Sequence, residues 1–257
     1  MADGTVRDET PRQPPTSTAA SDRRERWRLG PALRTLSAGT AAGAIVGVLV
    51  GGIGGRVAMG ILASQNPEEK GVISDDGFEM GRISLGGTSQ LLLTTLQFGL
   101  VAALIYLALR TLAFGPAWFR IASLTVGGTV VFGAILIDDS GVDFTLLDPD
   151  LLPVILFLAI PLVYVPVAAL LTEHWLRPTS WFLTADIRKV AAVLLVWIGP
   201  LFWLPAVWLG GTYVVRSIGS QMSQSARGAA AWLARLGFGV LGVLAFLALI
   251  GDIDAVT

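Results

Sequence analysis

Residues 35–55 read TLSAGTAAGAIVGVLVGGIGG and contain no charged side chain. A helix that crosses a bilayer needs roughly 20 apolar residues, so this stretch is long enough to span a membrane. Lipid cannot hydrogen-bond to free backbone groups, and the stretch does not alternate as a barrel strand would. It therefore predicts a transmembrane helix bounded by Arg34 and Arg56.

Glycines recur at every fourth position of this stretch, at Gly39, Gly43, Gly47, Gly51 and Gly55. Residues four apart share one face of a helix, so the row predicts a groove without side chains. Such a groove lets another backbone approach closely, and dispersion and weak Cα–H···O contacts then hold the two helices together. We expect it to receive another helix of the same chain. Self-association through this helix and a pore lining are the alternatives.

Further uncharged runs follow along the chain, which is 53% hydrophobic and 14% charged. Soluble domains carry about 25% charged residues and could not bury this much apolar surface. The expected fold is all-α: a polytopic transmembrane helix bundle of about six helices over 31–257, behind a disordered basic tail over 1–30. The predicted spans are 35–62, 88–109, 119–137, 151–172, 190–210 and 229–250.

The distribution of Lys and Arg predicts the orientation, because cytoplasmic loops are enriched in both. With a cytoplasmic N-terminus, six of the 18 basic residues fall outside, namely Arg56, Lys70, Arg82, Arg216, Arg227 and Arg235. The expected location is a cell membrane, and the composition favours a bacterial inner membrane. The last predicted loop, 211–228, conflicts with this rule because it would place Arg216 and Arg227 outside. The side of the membrane on which the C-terminus lies therefore stays open. A hairpin at Pro200 and Pro205 would reverse the last helix, but its arms are too short to span unless protein shields them.

Aromatic residues cluster at the predicted cytoplasmic helix ends, where an interfacial belt is expected. They include Trp118, Phe119, Trp175, Trp181 and Phe182. His174 is the only histidine and lies at the same level, at the end of the fourth span. We expect it to meet the membrane interface or a lipid headgroup, since a lone histidine rarely forms a metal site.

Charged residues at the predicted outer boundary are the candidate functional cluster. It comprises Arg56, Glu79, Arg82, Asp138 and Asp139. Opposite charges at this depth are expected to pair, because an unpaired ion beside lipid is costly. The cluster is predicted to clamp the fold, or alternatively to bind a cation or polar ligand. The acidic loops around it could offer oxygen ligands to Ca²⁺ or Mg²⁺, but they match no EF-hand, and solvated loops are the simpler interpretation.

Signatures of common chemistries are missing from the sequence. There is no cysteine, no phosphate-binding glycine loop and no nucleophile or zinc motif, so no catalytic residue, metal site or cofactor is predicted. A net charge of −1 gives no reason to expect nucleic acid. The expected partners are the lipid bilayer and, through the first helix, a second copy of the chain.

The function is left open between classes. Proline-broken helices and an acidic outer mouth favour a small transporter-like carrier, whereas the glycine row favours a membrane scaffold. No Asp, Glu or His lies near the bilayer centre, which counts against proton coupling. A signalling or assembly subunit is an alternative. A membrane enzyme would have to use the outer carboxylates, so a non-enzymatic function is favoured.

Overall fold

The structure of the protein is a computed structural model that describes residues 17–69, 71–73, 77, 79, 81–137, 151–199 and 201–256. These residues are helical, apart from connections and one isolated antiparallel bridge between Ile73 and Glu79. The predicted all-α class is therefore confirmed. Residues 138–150, which include Asp138 and Asp139 of the predicted cluster, lie outside the described part of the chain.

The helices follow one another with short connections. In chain order they are α1 (Ser17–Val46), a π-helical segment (Gly47–Ile53), α2 (Gly54–Gln65), a 3₁₀ turn (Pro67–Glu69), α3 (Leu85–Leu109), α4 (Ala117–Leu136), α5 (Leu151–Trp175), α6 (Trp181–Thr184), α7 (Ile187–Ala192), a 3₁₀ helix (Val193–Trp197), α8 (Leu204–Gln221) and α9 (Gln224–Val256). Because α1 begins at Ser17, residues 17–30 are helical where the sequence favoured a disordered tail.

Among the described residues, five helices are long and apolar enough to cross a membrane. They are Leu29–Gln65, Leu85–Leu109, Ala117–Leu136, Leu151–Trp175 and Gln224–Ala255. Each overlaps one predicted span. The remaining prediction, a span over 190–210, does not correspond to one helix. The chain there passes from α7 into the 3₁₀ helix, turns at 201–203 and continues as α8. Gly199 has a φ of +152°, which a residue without Cβ adopts most easily, so the helix is interrupted at this point.

The glycine-rich side of α1 lies directly against α3. A Cβ added to Gly39 would lie 2.6 Å from Leu107 Cδ1, and one added to Gly47 would lie 2.6 Å from Thr95 O. Gly43 faces Gly99, and neither position has room for a Cβ. A side chain at Gly43 or Gly47 would therefore meet the backbone of α3 and push that helix away, whereas one at Gly39 would meet only the side chain of Leu107. Gly55 is looser, since its Cβ would lie 3.9 Å from Leu91.

Contacts between helix ends define two ends of the bundle, which we name after Arg110 and Ile137. At the Arg110 end, Arg34 of α1 donates hydrogen bonds to Phe182 O at 2.6 Å and Ala185 O at 2.8 Å. These bonds hold α6 against the middle of α1. At the Ile137 end, Ile137, Val154 and Leu249 form one buried cluster of side chains from the ends of α4, α5 and α9.

The direction of α9 differs from the prediction. Arg235 Nε donates to Leu112 O at 2.9 Å, and its guanidinium lies over the rings of Phe114 and Trp232. Arg235 therefore lies at the Arg110 end, whereas the sequence analysis placed these two arginines on opposite sides. The helix then runs to Leu249 at the Ile137 end. The prediction was wrong because the 190–210 segment is interrupted and does not cross the bundle. The chain therefore returns to the Arg110 end before α9 begins.

The segment 187–221 forms a helical hairpin that enters the bundle from the Arg110 end. Trp197, near its tip, packs with Leu36, Leu100, Leu104 and Leu107 in the largest buried cluster. Its indole Nε1 donates to Thr40 Oγ1 at 3.0 Å, and both groups are buried. The first arm, residues 187–197, is too short to cross a bilayer alone, and α8 is not among the five helices that are long and apolar enough to do so. Trp197 is buried against α1 and α3, whereas Ile198, Phe202 and Trp203 at the turn are exposed.

Candidate functional site

The cluster predicted at the Ile137 end is only partly described. Arg82 donates to Glu79 Oε2 at 2.8 Å, forming an exposed ion pair between neighbours three residues apart. The hydrogen bond and the charge of Glu79 raise the pKa of the Arg82 guanidinium. Arg56 is half-buried on α2. Asp138 and Asp139 lie outside the described residues, so the joining of all five side chains stays a prediction.

Polar side chains converge at the opposite end of the bundle, around a cavity of about 260 Å³. Its polar lining consists of Tyr106, Arg110, Arg120, Glu173, His174 and Arg177. These residues come from three helix ends. Tyr106 and Arg110 lie at the C-terminal end of α3, and Arg120 lies in the first turn of α4. Glu173 and His174 lie in the last turn of α5, and Arg177 follows that helix.

The short connection between α3 and α4 brings two of these ends together. Gly115 has a φ of +85°, a left-handed conformation that side chains disfavour, and the chain reverses there before Pro116. Pro116 precedes α4 and gives its first turn no side-chain cap. The first amides of α4 therefore point toward this end with a partial positive charge, and Ala117 lines the same cavity.

Glu173 is the carboxylate that joins α5 to α3. Its Oε1 accepts a hydrogen bond from Tyr106 Oη at 2.8 Å, and its Oε2 accepts one from Arg110 at 2.9 Å. The same guanidinium nitrogen lies 2.8 Å from Oε1, so the charges are in direct contact. Tyr106 and Arg110 are four residues apart on one helix face, which is why both reach the same carboxylate. The ion pair fixes Arg110 at the cavity wall.

Positive charge exceeds negative charge in the cavity. Three guanidinium groups line it, those of Arg110, Arg120 and Arg177, against the single carboxylate of Glu173. Within the part of the chain that the structure describes, the side chains of Arg120 and Arg177 make no hydrogen bond or ion pair to protein. Their donors are therefore available to an anion. Guanidinium groups suit phosphate in particular, because their forked donors match two of its oxygens.

Aromatic rings lie at the same end of the bundle as the cavity. Phe114 and Phe119 lie 5.6 Å apart between ring centroids, and Trp232 of α9 lies 6.5 Å from Phe114. Trp175 and Trp181 pack on Phe182 nearby. Such rings are typical of the level where lipid headgroups meet acyl chains. All the belt residues that the sequence singled out thus lie at one end of the bundle.

The sequence analysis did not identify this cavity. It used the basic residues, among them Arg110, Arg120 and Arg177, only as indicators of orientation, and it did not single out Glu173. The sequence did contain a signal for a basic site, because Arg110 and Arg120 flank the α3–α4 connection and Arg177 follows α5. Their convergence with Glu173, 63 residues from Arg110, depends on tertiary packing. His174, which the sequence placed beside a headgroup, lines the cavity.

Metal ligands do not group together in the described ranges, where no three His, Cys, Asp or Glu side chains meet. Comparison with known proteins identifies no relative: no family model, no curated protein sequence and no solved structure matches the chain. Function must therefore be argued from the cavity and its surroundings.

Proposed function

We propose that this chain is a non-enzymatic, multi-pass membrane protein that binds a phosphate-bearing anion in the cavity at the Arg110 end. The observation that carries the proposal is the excess of guanidinium groups over carboxylates around one cavity, with the guanidinium groups of Arg120 and Arg177 free of protein partners among the described residues. The amide dipoles at the start of α4 add to the attraction. A polar ligand of opposite charge would satisfy all these donors together.

The orientation of the protein follows from the same arginines. Most described basic side chains belong to the Arg110 end: Arg34, Arg110, Arg120, Arg177, Arg188, Lys189, Arg227 and Arg235. Arg56 and Arg82 belong to the Ile137 end. Basic residues accumulate on the cytoplasmic side, so the Arg110 end and the start of α1 face the cytoplasm. Five crossings then place the C-terminus on the other side. The conflict that Arg216 and Arg227 create when six spans are assumed does not arise in this arrangement.

A carrier function has one observation in its favour, which is the interrupted segment that contains Gly199. Broken helices form substrate sites in many transporters. Trp197, just before the tip of this hairpin, however, packs among leucine side chains, and the hydroxyl of Thr40 already accepts its indole N–H. The polar groups that could hold a ligand lie at the helix ends instead. We therefore favour a binding or assembly protein whose state responds to an anion.

Thermal unfolding of the purified protein in neutral detergent tests anion binding. Inorganic phosphate should raise the Tm by mass action, whereas sodium chloride at the same ionic strength should not. The double variant Arg120→Gln/Arg177→Gln should lose roughly tenfold in phosphate affinity, or about 1.4 kcal/mol. Arg216→Gln is the matched control, since Arg216 is exposed and does not line the cavity. Equal stabilisation of the double variant and the wild type would contradict the proposal.

A further inference from the structure

The cavity has an apolar wall as well as a charged rim. Ile121 and Leu124 of α4 and Leu170 of α5 line it together with the arginines. Leu124 lies one helical turn beyond Arg120, and Leu170 lies one turn before Glu173 and His174. One turn corresponds to about 5.4 Å along the helix axis. On both helices the order is therefore the same: charge at the helix end, then apolar surface toward the interior of the bilayer.

The cavity also opens sideways. Leu170 is 57% exposed although it lines the cavity, so no helix within the described part of the chain closes this wall. In the proposed orientation the exposed side of Leu170 faces acyl chains. A site for a water-soluble anion needs only an opening toward the cytoplasm, and the apolar wall and lateral opening would serve no purpose there.

We infer that the occupant is an anionic phospholipid of the cytoplasmic leaflet, held by its phosphate between Arg120 and Arg177 with the start of an acyl chain along Ile121 and Leu170. The inference rests on the proposed anion binding and adds the class of ligand. The cavity volume of about 260 Å³ suits a headgroup and the first carbons of the chain. It is slightly below the roughly 300–1,000 Å³ of sites that enclose whole small molecules. The rest of the lipid would stay in the bilayer.

Three probes of increasing apolar character separate a lipid from a free anion. They are inorganic phosphate, glycerol 3-phosphate and phosphatidylglycerol, each added to the full-length protein in neutral detergent, with phosphatidylcholine as the zwitterionic lipid control. Binding is measured by thermal unfolding and by the lipid retained in native mass spectrometry. We expect phosphatidylglycerol to bind at least roughly tenfold more tightly than glycerol 3-phosphate, because only the lipid contacts the apolar wall. Phosphatidylcholine should be retained more weakly, since its choline would meet the arginines.

Blocking the lateral opening provides the matching variant. Leu170→Trp should reduce phosphatidylglycerol retention roughly fivefold or more, a larger loss than any it causes in stabilisation by inorganic phosphate. Leu162→Trp is the control, because Leu162 lies on the same helix, is 51% exposed and does not line the cavity. Equal affinities for glycerol 3-phosphate and phosphatidylglycerol would overturn the lipid inference while anion binding stands. No response to any of the phosphate probes would overturn both.

Discussion

Gly43 and Gly99 lie back to back where α1 and α3 cross, so that a Cβ on either glycine would collide with the backbone oxygen of the other. The hydroxyl of Tyr164 on α5 donates to Gly99 O at 2.6 Å, at the same level. Three helices thus meet at a point where two of them have no side chains. Inside lipid, close packing and hydrogen bonds of this kind replace the hydrophobic effect as the force that holds helices together.

Substitution at this crossing should destabilise the protein. Gly43→Ala would force α1 and α3 apart, because backbone atoms cannot move aside as a flexible side chain can. We expect the free energy of unfolding to fall by about 1–3 kcal/mol. Gly54→Ala is the control, since Gly54 is helical and a Cβ there meets nothing within 4 Å. Denaturant unfolding in mixed micelles gives both values, and similar stabilities would show that the crossing is not tight.

The hydrogen bond between Trp197 and Thr40 should anchor the 187–221 hairpin. Trp197→Phe and Thr40→Val each remove it, and the double variant completes a thermodynamic cycle. The expected interaction energy is about 0.6 kcal/mol, with roughly 1.7 kcal/mol as the upper range for membrane proteins. Trp203→Phe serves as the control because Trp203 is exposed. Strictly additive effects of Trp197→Phe and Thr40→Val would mean that the bond contributes nothing.

The direction of α9 predicts the result of a cysteine labelling experiment. The chain has no cysteine, so single cysteines can be introduced without background. In intact cells, Ser223→Cys and Thr179→Cys should both be protected from an impermeant thiol reagent, since both lie toward the Arg110 end. Ser64→Cys, beyond Arg56 on α2, should be labelled. Labelling of Ser223→Cys together with protection of Thr179→Cys would instead support six crossings.

Glu173 should oppose anion binding. Its carboxylate offsets part of the positive charge in the cavity, so Glu173→Gln should raise phosphate affinity roughly threefold, a value discounted for partial exposure. Glutamine can still accept the hydrogen bond from Tyr106, so the fold should change little. Isothermal titration with phosphate measures the effect, and Glu79→Gln at the other end should leave the affinity unchanged. A loss of affinity in Glu173→Gln would mean that Glu173 acts mainly by positioning Arg110.

Local sequence determined the helical class and most of the apolar spans. Uncharged runs such as 35–55 are long enough to cross a bilayer, and a backbone in lipid must satisfy its own hydrogen bonds, so helices follow from length and composition alone. The glycine spacing in the same run also defines one helix face without reference to any partner. Whether that face also mediates contact with a second copy of the chain stays a prediction.

Tertiary structure alone decided the path of 190–210, the direction of α9 and the position of the cavity. Hydropathy marked 190–210 as a span because its side chains are apolar, but they pack on Leu36 and Leu107 rather than continuing across. The contact between Arg235 and Leu112 joins residues 123 positions apart, and that between Arg110 and Glu173 joins residues 63 apart. Local periodicity reports which face of a helix is apolar. It carries no information about which distant helix end will supply the opposite charge.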